Sequence, residues 1–400
     1  MRRSAIEGMI KIIGGKDTIH KTVINNEVSA QKVYACWLDT IYWISSRIKY
    51  RLLDVAGSTQ SIYQMAQEQV EAVMGKRGCE RFVQHREHYK PSRVWNYLAQ
   101  SGISYTYCQE PDFPQKLARI PDPPFGIFYK GELPEENVPA VAMIGARKCS
   151  TYGRCMAEQF AAAFAAHEVN IISGMAMGID GISQAAALKA GGRSYAVLGC
   201  GVDIVYPRTN ETLYQQLAAQ GGLLSEYPPQ MAPRSSMFPP RNRLISALSD
   251  VVLVVEACEK SGTLITVDMA LEQGREVYAI PGRCTDSLSM GCNRLLRQGA
   301  VVASAPEDII EDMGWGQCHT RKYSGKTSSI RLLETLSPTS QEVYAVLDVL
   351  PASQDGIVTK LREKNSTCTI PQIYQGLVEL ELKGLVMSQN GQYRIINAIV

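Results

Sequence analysis

Residues 140–303 alternate short apolar runs with helical patterns in a regular order. The runs, which predict strands, lie at about 140–145, 169–173, 194–199, 222–225, 250–256, 276–280 and 300–303. Nearly every position in them is apolar, whereas a strand with one face in water would alternate. Strands buried on both faces and separated by helices are typical of a parallel sheet covered on both sides. The sequence therefore predicts an α/β fold whose core is a Rossmann-like, doubly wound, mostly parallel sheet.

Helices are expected between these strands, at about 153–167, 180–190, 210–220, 241–249, 262–273 and 291–299. An apolar stripe that includes Trp37, Ile41 and Ile48 predicts a helical domain before the sheet. After it, a polar stretch predicts a linker, and three helices followed by an Asn-Gly turn between short strands predict a winged helix. The predicted organisation is an unassigned extension (1–29), a helical domain (30–105), a Rossmann-like domain (106–310), a linker (311–337) and a winged helix (338–400).

The formal net charge of the 400 residues is only +2, so binding of a polyanion would require a local basic patch. The 11 cysteines are dispersed and include no C-x-x-C pair, which favours reduced thiols and a cytoplasmic protein. No apolar stretch is long enough for a membrane span, and the first residues lack a signal-peptide pattern.

Four segments that follow predicted strands carry glycines or arginines: Gly145-Ala-Arg147, Ser173-Gly174, Phe238-Pro-Pro-Arg241-Asn242-Arg243 and Ser261-Gly262-Thr263. Because parallel strands end at one rim of a sheet, we expect these segments to converge on a single crevice. Exposed amides, helix N-termini and guanidinium groups all bind phosphate, so the crevice is predicted to be a phosphate site. Lys148 and Arg208 also follow strands and would add positive charge.

Within this crevice, Arg241 and Arg243 are predicted to hold two neighbouring phosphates, or to hold the ligand of Arg147 between them. Phe238 either packs beneath its loop or presents its ring to a nucleic-acid base. Asp180, Glu226 and Glu256, also near strand ends, are either acid/base groups or, as we favour, helix caps and partners of the arginines.

No cofactor or metal is predicted. Gly145 does not begin a G-x-G-x-x-G pattern, which argues against nicotinamide and flavin dinucleotides. His85 and His88 form an H-x-x-H pair without further ligands nearby, so a solvated helix face is the better interpretation than a metal site.

These motifs closely resemble the DNA-processing protein A (DprA/Smf) family over about residues 110–310. The resemblance rests on the runs 142–147, 172–180, 197–207, 238–245 and 256–263, which read AMIGAR, ISGMAMGID, VLGCGVDIVYP, FPPRNRLI and EACEKSGT. Residues 338–396 are similar to the winged-helix tail of many members. Residues 30–103 are more weakly similar to their helical, SAM-like N-terminal domain.

The resemblance implies a non-enzymatic, sequence-independent single-stranded DNA-binding protein that dimerises through its Rossmann domain. Such proteins protect incoming DNA during natural transformation of competent bacteria and load RecA recombinase for DNA recombination. The family's DNA pocket corresponds here to Arg147, Gly174, Arg208, Phe238, Arg241, Asn242 and Arg243, and the full predicted site adds Lys148, Gly178, Ser261, Gly262 and Thr263. The chain departs from the family at Gln184, where a histidine is usual, so no cation forms at that position.

One alternative is an enzyme. A nucleotide-processing protein of the phosphoribohydrolase type could use Glu226 or Glu256 beside Ser261-Gly262-Thr263, although the Pro-Gly-Gly-x-Gly-Thr motif of those enzymes is absent. For the winged helix we expect protein contact rather than duplex reading. Its third helix carries Glu379 and Glu381 against Lys383 and has no arginine, which is a poor surface for a major groove.

Overall fold

The computed structural model describes residues 30–315, 336–348, 351–364, 366–383, 385–389 and 391–395. Its main feature is a nine-stranded sheet in the order β1-β2-β6-β5-β4-β3-β7-β8-β9. The strands are β1 Ser104–Tyr107, β2 Gly126–Gly131, β3 Ala140–Gly145, β4 Asn170–Ser173, β5 Ser194–Val197, β6 Gly222–Ser225, β7 Val251–Glu256, β8 Glu276–Ala279 and β9 Val301–Val302.

All seven predicted strands, β3 to β9, are confirmed and pair in parallel. The chain builds outward from β3 to β6 and then returns to add β7 to β9 on the other side of β3, which is the doubly wound arrangement. Sequence analysis missed β1 and β2, which extend the sheet antiparallel beyond β6. Both strands are short and border a Pro-rich segment, so their few aromatic residues do not stand out as a strand pattern.

Helices cover both faces of the sheet and end close to the predicted positions. They are α7 Gln115–Ala118, α8 Thr151–Ala166, α9 Ile179–Lys189, α10 Glu211–Gln220, α11 Phe238–Ala247, α12 Thr263–Glu272, α13 Met290–Arg297 and α14 Pro306–Asp312. Helix α11 begins three residues before its predicted start. Pro239 and Pro240 fit its first turn, where a missing amide hydrogen breaks no helical hydrogen bond.

The N-terminal helices do not form a separate core. They are α1 Ala30–Asp39, α2 Ser46–Ala56, α3 Thr59–Gln64, α4 Gln67–Met74, α5 Lys76–His88 and α6 Pro91–Gln100. Trp37 and Phe82 lie in one apolar cluster with Leu198 and Leu217 of the sheet region. The predicted domain boundary at residue 105 falls inside strand β1, so the helical part and the sheet share both a strand and a core.

A buried ion pair stabilises this shared core. The Lys49 ammonium lies 2.7 Å from Asp39, whose second carboxylate oxygen accepts a 2.7 Å hydrogen bond from Tyr105. Burial raises the pKa of Asp39, and the charge of Lys49 opposes that rise. Gly126 leaves the space for the pair, since a methyl group there would lie 2.2 Å from the Tyr105 hydroxyl oxygen.

His85, the first histidine of the H-x-x-H pair, is not on a solvated face. Its ring stacks on Tyr89 with centroids 4.5 Å apart, and its Nε2 lies 2.9 Å from the Thr40 hydroxyl. Burial lowers the pKa of His85 to about 4. The predicted solvent exposure is therefore wrong for His85, which is a neutral packing residue.

The C-terminal segment contains α15 Pro338–Tyr344, α16 Gln354–Glu363 and α17 Ile370–Leu382, with a sheet of order β10-β12-β11. Its strands are β10 Ala352–Ser353, β11 Val386–Gln389 and β12 Gln392–Ile395. This is the predicted order of helices followed by a hairpin. Residues 1–29 and most of the predicted linker lie outside the described residues. Within the described part, no helix is both long and apolar enough to cross a bilayer.

We predict that Lys49→Ala lowers the free energy of unfolding by about 3–5 kcal/mol, because it leaves the Asp39 carboxylate buried without its partner. Urea denaturation at neutral pH measures the change. The exposed Arg51, two residues away on the same helix, is the matched control, and Arg51→Ala should stay within about 0.5 kcal/mol of the wild type. Equal losses in the two variants would refute a role for the buried pair.

Candidate functional site

A pocket opens at the carboxyl ends of β3, β4 and β5, beside the N-terminus of α11. It is lined by Arg147, Gly174, Ala176, Met177, Leu198, Gly199, Cys200, Tyr206, Pro207, Phe238 and Arg241. Each of these three strands contributes to the lining through residues that follow its last paired position. The pocket thus lies at the rim where sequence analysis placed a ligand site.

An aromatic pair forms one wall. The rings of Phe238 and Tyr206 stack with centroids 5.6 Å apart and an interplanar angle of 28°. Tyr206 is 43% exposed, and Phe238 is half-buried. Gly199 allows this placement, because a methyl group there would lie 2.6 Å from Cδ1 of Phe238. One edge of Phe238 packs on the backbone of Gly199, as the first interpretation expects, and the ring also lines the pocket. Its stacking on a nucleic-acid base stays a prediction.

Three exposed cations either line the pocket or follow a lining residue directly in sequence. The Arg147 guanidinium is 5.6 Å from the centroid of the Phe238 ring, and its side chain is exposed. Lys148 is exposed next to it, and Arg208 is exposed directly after the lining residue Pro207. Among the described residues, no carboxylate lies within 4 Å of these three cations. Their charges remain available to an anion.

Arg241 has a different environment from the one predicted. It is 5% exposed, and its guanidinium donates hydrogen bonds to the carbonyl oxygens of Gly174, at 3.0 Å, and of Val197. Burial lowers the pKa of Arg241, and the carboxylate of Asp180 opposes that shift. Arg241 forms the inner wall of the pocket and binds the ends of β4 and β5 together.

Arg243 is not placed to hold a phosphate beside Arg241. Its guanidinium lies 2.9 Å from the Glu226 carboxylate and 3.3 Å from that of Asp122, and its Nε donates to the Asp122 carbonyl oxygen. Residues at positions i and i+2 of a helix do not face the same way, so Arg241 and Arg243 point to different surroundings. The predicted pairing of these two arginines around neighbouring phosphates is therefore wrong.

The loop between β4 and α9 is tightly constrained beside the pocket. Gly178 has φ +77°, and a methyl group there would lie 2.2 Å from the carbonyl oxygen of Ala146. Met175 has φ 53°, an uncommon conformation for a residue with a side chain. Its amide donates to Oε1 of the fully buried Gln184, whose amide nitrogen donates to the Tyr195 carbonyl oxygen. Gln184 thus supports the loop from within and does not line the pocket.

The fourth predicted segment is absent from the pocket lining. Ser261 and Thr263 hydrogen-bond to each other at the start of α12, after β7, and a methyl group on Gly262 would meet no atom within 4 Å. Asn242 is half-buried on α11 and also lies outside the lining. The expected convergence therefore holds for the turns after β3 and β4 and for α11, but not for residues 261–263.

The carboxylates near the rim have structural contacts, as we favoured. Glu226 pairs with Arg243 and accepts a 2.9 Å hydrogen bond from Ser46. Glu256 is 2% exposed and accepts hydrogen bonds from the amide and hydroxyl of Ser150, the N-cap of α8. Asp180 accepts the amide of Gly174 at 3.2 Å.

Comparison with known proteins agrees with this arrangement. Residues 104–314 match the family model described as DNA recombination-mediator protein A. The chain belongs to this family. It is 36% identical to Protein Smf of Escherichia coli over 79% of the chain and 83% of that protein, and 37% identical to DNA processing protein DprA of Bacillus subtilis over 62% and 82%. The solved DNA processing protein A of Streptococcus pneumoniae superposes with a TM-score of 0.61 at 30% identity, covering 71% of this chain and 98% of that one.

Membership in the DNA recombination-mediator protein A family confirms the resemblance seen in the sequence. It does not by itself assign the pocket, and seven of the eleven lining residues were not among the predicted site residues, two of them with large exposed side chains. Tyr206 and Met177, 43% and 45% exposed, lie within the motifs that carry the resemblance. A tyrosine directly before a proline after a predicted strand was the available signal, because the residue before a proline favours an extended backbone and therefore lies in the loop.

We predict that Gly199→Ala lowers the free energy of unfolding by about 1–3 kcal/mol, since the new methyl group displaces the Phe238 ring. Thermal and urea unfolding measure the loss. Gly262→Ala is the matched control and should have a smaller effect, because nothing lies within 4 Å of its new methyl group. A Gly199 variant as stable as the Gly262 variant would show that the ring is not held against the backbone.

Proposed function

We propose that this protein binds single-stranded DNA without sequence preference through the pocket at the carboxyl ends of β3, β4 and β5. The observation that carries the proposal is the stacked pair Tyr206 and Phe238 beside Arg147 and Arg208, two exposed arginines without carboxylate partners. Aromatic rings stack on any base, and nearby cations neutralise the backbone. This combination suits a strand whose bases are free.

A bound dinucleotide fits the structure less well. Such cofactors place their pyrophosphate at the N-terminus of the first helix of the doubly wound sheet. Here Glu256 accepts the amide and hydroxyl of Ser150 at the start of α8, so a carboxylate already occupies that position. A second anion at this point would be repelled.

The two carboxylates that the enzymatic alternative would use, Glu226 and Glu256, both have structural partners. Glu226 is paired with Arg243, and Glu256 is buried and accepts hydrogen bonds from Ser150, the N-cap of α8. Neither lines the pocket that contains the aromatic pair. A phosphoribohydrolase needs a carboxylate beside the bound sugar, so the arrangement supports a binding protein over an enzyme.

The wider role follows from the family. As a member of the DNA recombination-mediator protein A family, the chain is proposed to act in the cytoplasm on DNA entering by natural transformation, to protect it and to load RecA recombinase onto it. A rigid pocket that reads no bases suits this role. Contacts to the sugar-phosphate backbone carry no sequence information, so any incoming strand would be bound.

We predict that the wild-type chain binds a labelled oligothymidine with an affinity that falls as salt rises. If about four phosphates are neutralised, log K should fall with log salt at a slope of roughly −3. Arg147→Ala/Arg208→Ala should reduce the steepness of that slope by about 1.4, the contribution of two phosphates. Phe238→Ala should cost about 1–3 kcal/mol of binding free energy and leave the slope unchanged.

Fluorescence anisotropy across a salt series provides the measurement, with duplex DNA of the same length in parallel. The control is Arg294→Ala/Arg297→Ala, which removes the same charge from exposed positions on α13. Equal weakening in both double variants would indicate general attraction rather than a site. Absence of single-strand binding by the wild type would refute the proposed function.

Dimerisation through the Rossmann domain is also proposed. Exposed apolar side chains collect on the last elements of the sheet region, with Leu271 60%, Val302 48%, Met290 44% and Ile265 39% exposed. They lie toward the β9 edge, opposite the edge at which the helical part joins the sheet. Apolar groups concentrated on one side of a domain are typical of a subunit interface.

We predict that Leu271→Glu converts a dimer to a monomer, because a buried unpaired carboxylate is costly at an interface. Light scattering coupled to size-exclusion chromatography measures the mass. Val55, 58% exposed on the helical part, is the matched control, and Val55→Glu should leave the mass unchanged. A monomeric wild type, or a Leu271→Glu variant that stays dimeric, would contradict this interface.

A further inference from the structure

A second group of aromatic and basic side chains lies on the helical part of the protein, outside the pocket. We call it the helical-domain patch and define it as Tyr42, Trp43, Arg47, Arg77 and Arg81. Tyr42 is 47% exposed, and the Arg81 guanidinium lies 3.9 Å from the centroid of the Trp43 ring. The two aromatic residues occupy the turn between α1 and α2.

The charge of the patch is positive. Arg47 is exposed on α2, and Arg77 and Arg81 are exposed one turn apart on α5. On these two helices the exposed charges are five basic residues, Arg47, Arg51, Lys76, Arg77 and Arg81, against three carboxylates, Asp54, Glu80 and Glu87. No carboxylate of the described residues lies within 4 Å of these arginines. They are therefore free to neutralise phosphates.

Direct contacts join the start of α2, the helix that carries Arg47, to the rim that contains the pocket. Ser46, three residues after Trp43, donates a 2.9 Å hydrogen bond to Glu226, and Glu226 pairs with Arg243 on α11. Phe238 begins this same helix, about 7.5 Å along its axis from Arg243. The helical part also contacts the loop after β5, where Tyr97 donates to Asp203 at 2.9 Å. The turn that bears the patch is thus fixed beside the rim rather than tethered loosely to it.

Packing alone does not account for the patch. Trp43 contacts the apolar core with part of its ring, but Tyr42 leaves nearly half of its surface in water. The contact of the Arg81 guanidinium with the face of the Trp43 indole fixes the orientation of both groups. Exposed aromatic rings alternating with unpaired arginines are the features that bind single strands without sequence preference.

We propose that the helical-domain patch is a second contact site for single-stranded DNA, occupied by the part of a bound strand that leaves the pocket. This inference rests on the proposed function of the pocket and adds a path for the strand across α11 to the turn between α1 and α2. Short strands occupy the pocket alone. Longer strands contact both sites, and the second contact increases affinity because it is made within one complex.

The experiment compares two oligothymidines, of roughly six and roughly twenty nucleotides, a range chosen around the usual site sizes of about 4–16 nucleotides. Arg47→Ala/Arg81→Ala and, separately, Tyr42→Ser are measured by fluorescence anisotropy in the full-length chain. Each should weaken binding of the long strand about five- to tenfold and leave the short strand unaffected. The arginine variant should also reduce the salt slope for the long strand by about 1.4.

Phe238→Ala and the charge-matched Arg294→Ala/Arg297→Ala are measured alongside. Phe238→Ala should weaken both strand lengths, and the α13 control should weaken neither. Thermal unfolding checks that the variants fold. If loss of Arg81 disturbs the packing of Trp43, the Tyr42→Ser variant still tests the patch, because it removes only an exposed ring. Wild-type binding with no length-dependent loss in the patch variants would overturn this inference alone. No binding of either strand by the wild type would overturn the proposed function together with it.

Discussion

The pocket depends on the hydrogen bonds that the buried guanidinium of Arg241 donates. The guanidinium donates to the carbonyl oxygens of Gly174 and Val197, which follow β4 and end β5. A buried cation is costly unless its hydrogen bonds are made, and the nearby Asp180 supplies compensating negative charge. The same helix that carries Arg241 begins with Phe238, so fixing the guanidinium fixes the aromatic wall.

Glycines make this arrangement possible at two points. A methyl group on Gly174 would lie 2.7 Å from both terminal nitrogens of Arg241, and one on Gly199 would lie 2.6 Å from the Phe238 ring. Both residues follow parallel strands, where the chain leaves the sheet and a close approach is possible. The pocket is therefore built from backbone contacts that hold its shape before any ligand binds, which lowers the entropy lost on binding.

The sheet and most helices were predictable, because continuous apolar strands and helical stripes are local properties of the sequence. Helix α11 and the carboxyl ends of β3 to β5 were predictable for the same reason. The direction in which each arginine side chain points was not predictable. Arg243 pairs with Glu226 and Asp122, which lie 17 and 121 residues away in sequence. A local sequence pattern does not indicate partners at such distances. The shared core between the N-terminal helices and the sheet was missed for a similar reason, since it depends on β1 and β2 closing the gap between them.

The arginines of the rim thus separate into two kinds. Arg241 hydrogen-bonds to carbonyl oxygens and Arg243 pairs with carboxylates, whereas Arg147 and Arg208 are exposed and unpaired among the described residues. Only the second kind can exchange water and counterions for phosphate without breaking the fold. The net charge of the chain is near zero, so attraction of a polyanion to the proposed pocket would arise from these few positions. A small number of free cations beside stacked rings would make binding in the proposed pocket depend on base stacking as much as on charge. Such a site would favour a strand with unpaired bases over a duplex, whose bases are already stacked on each other.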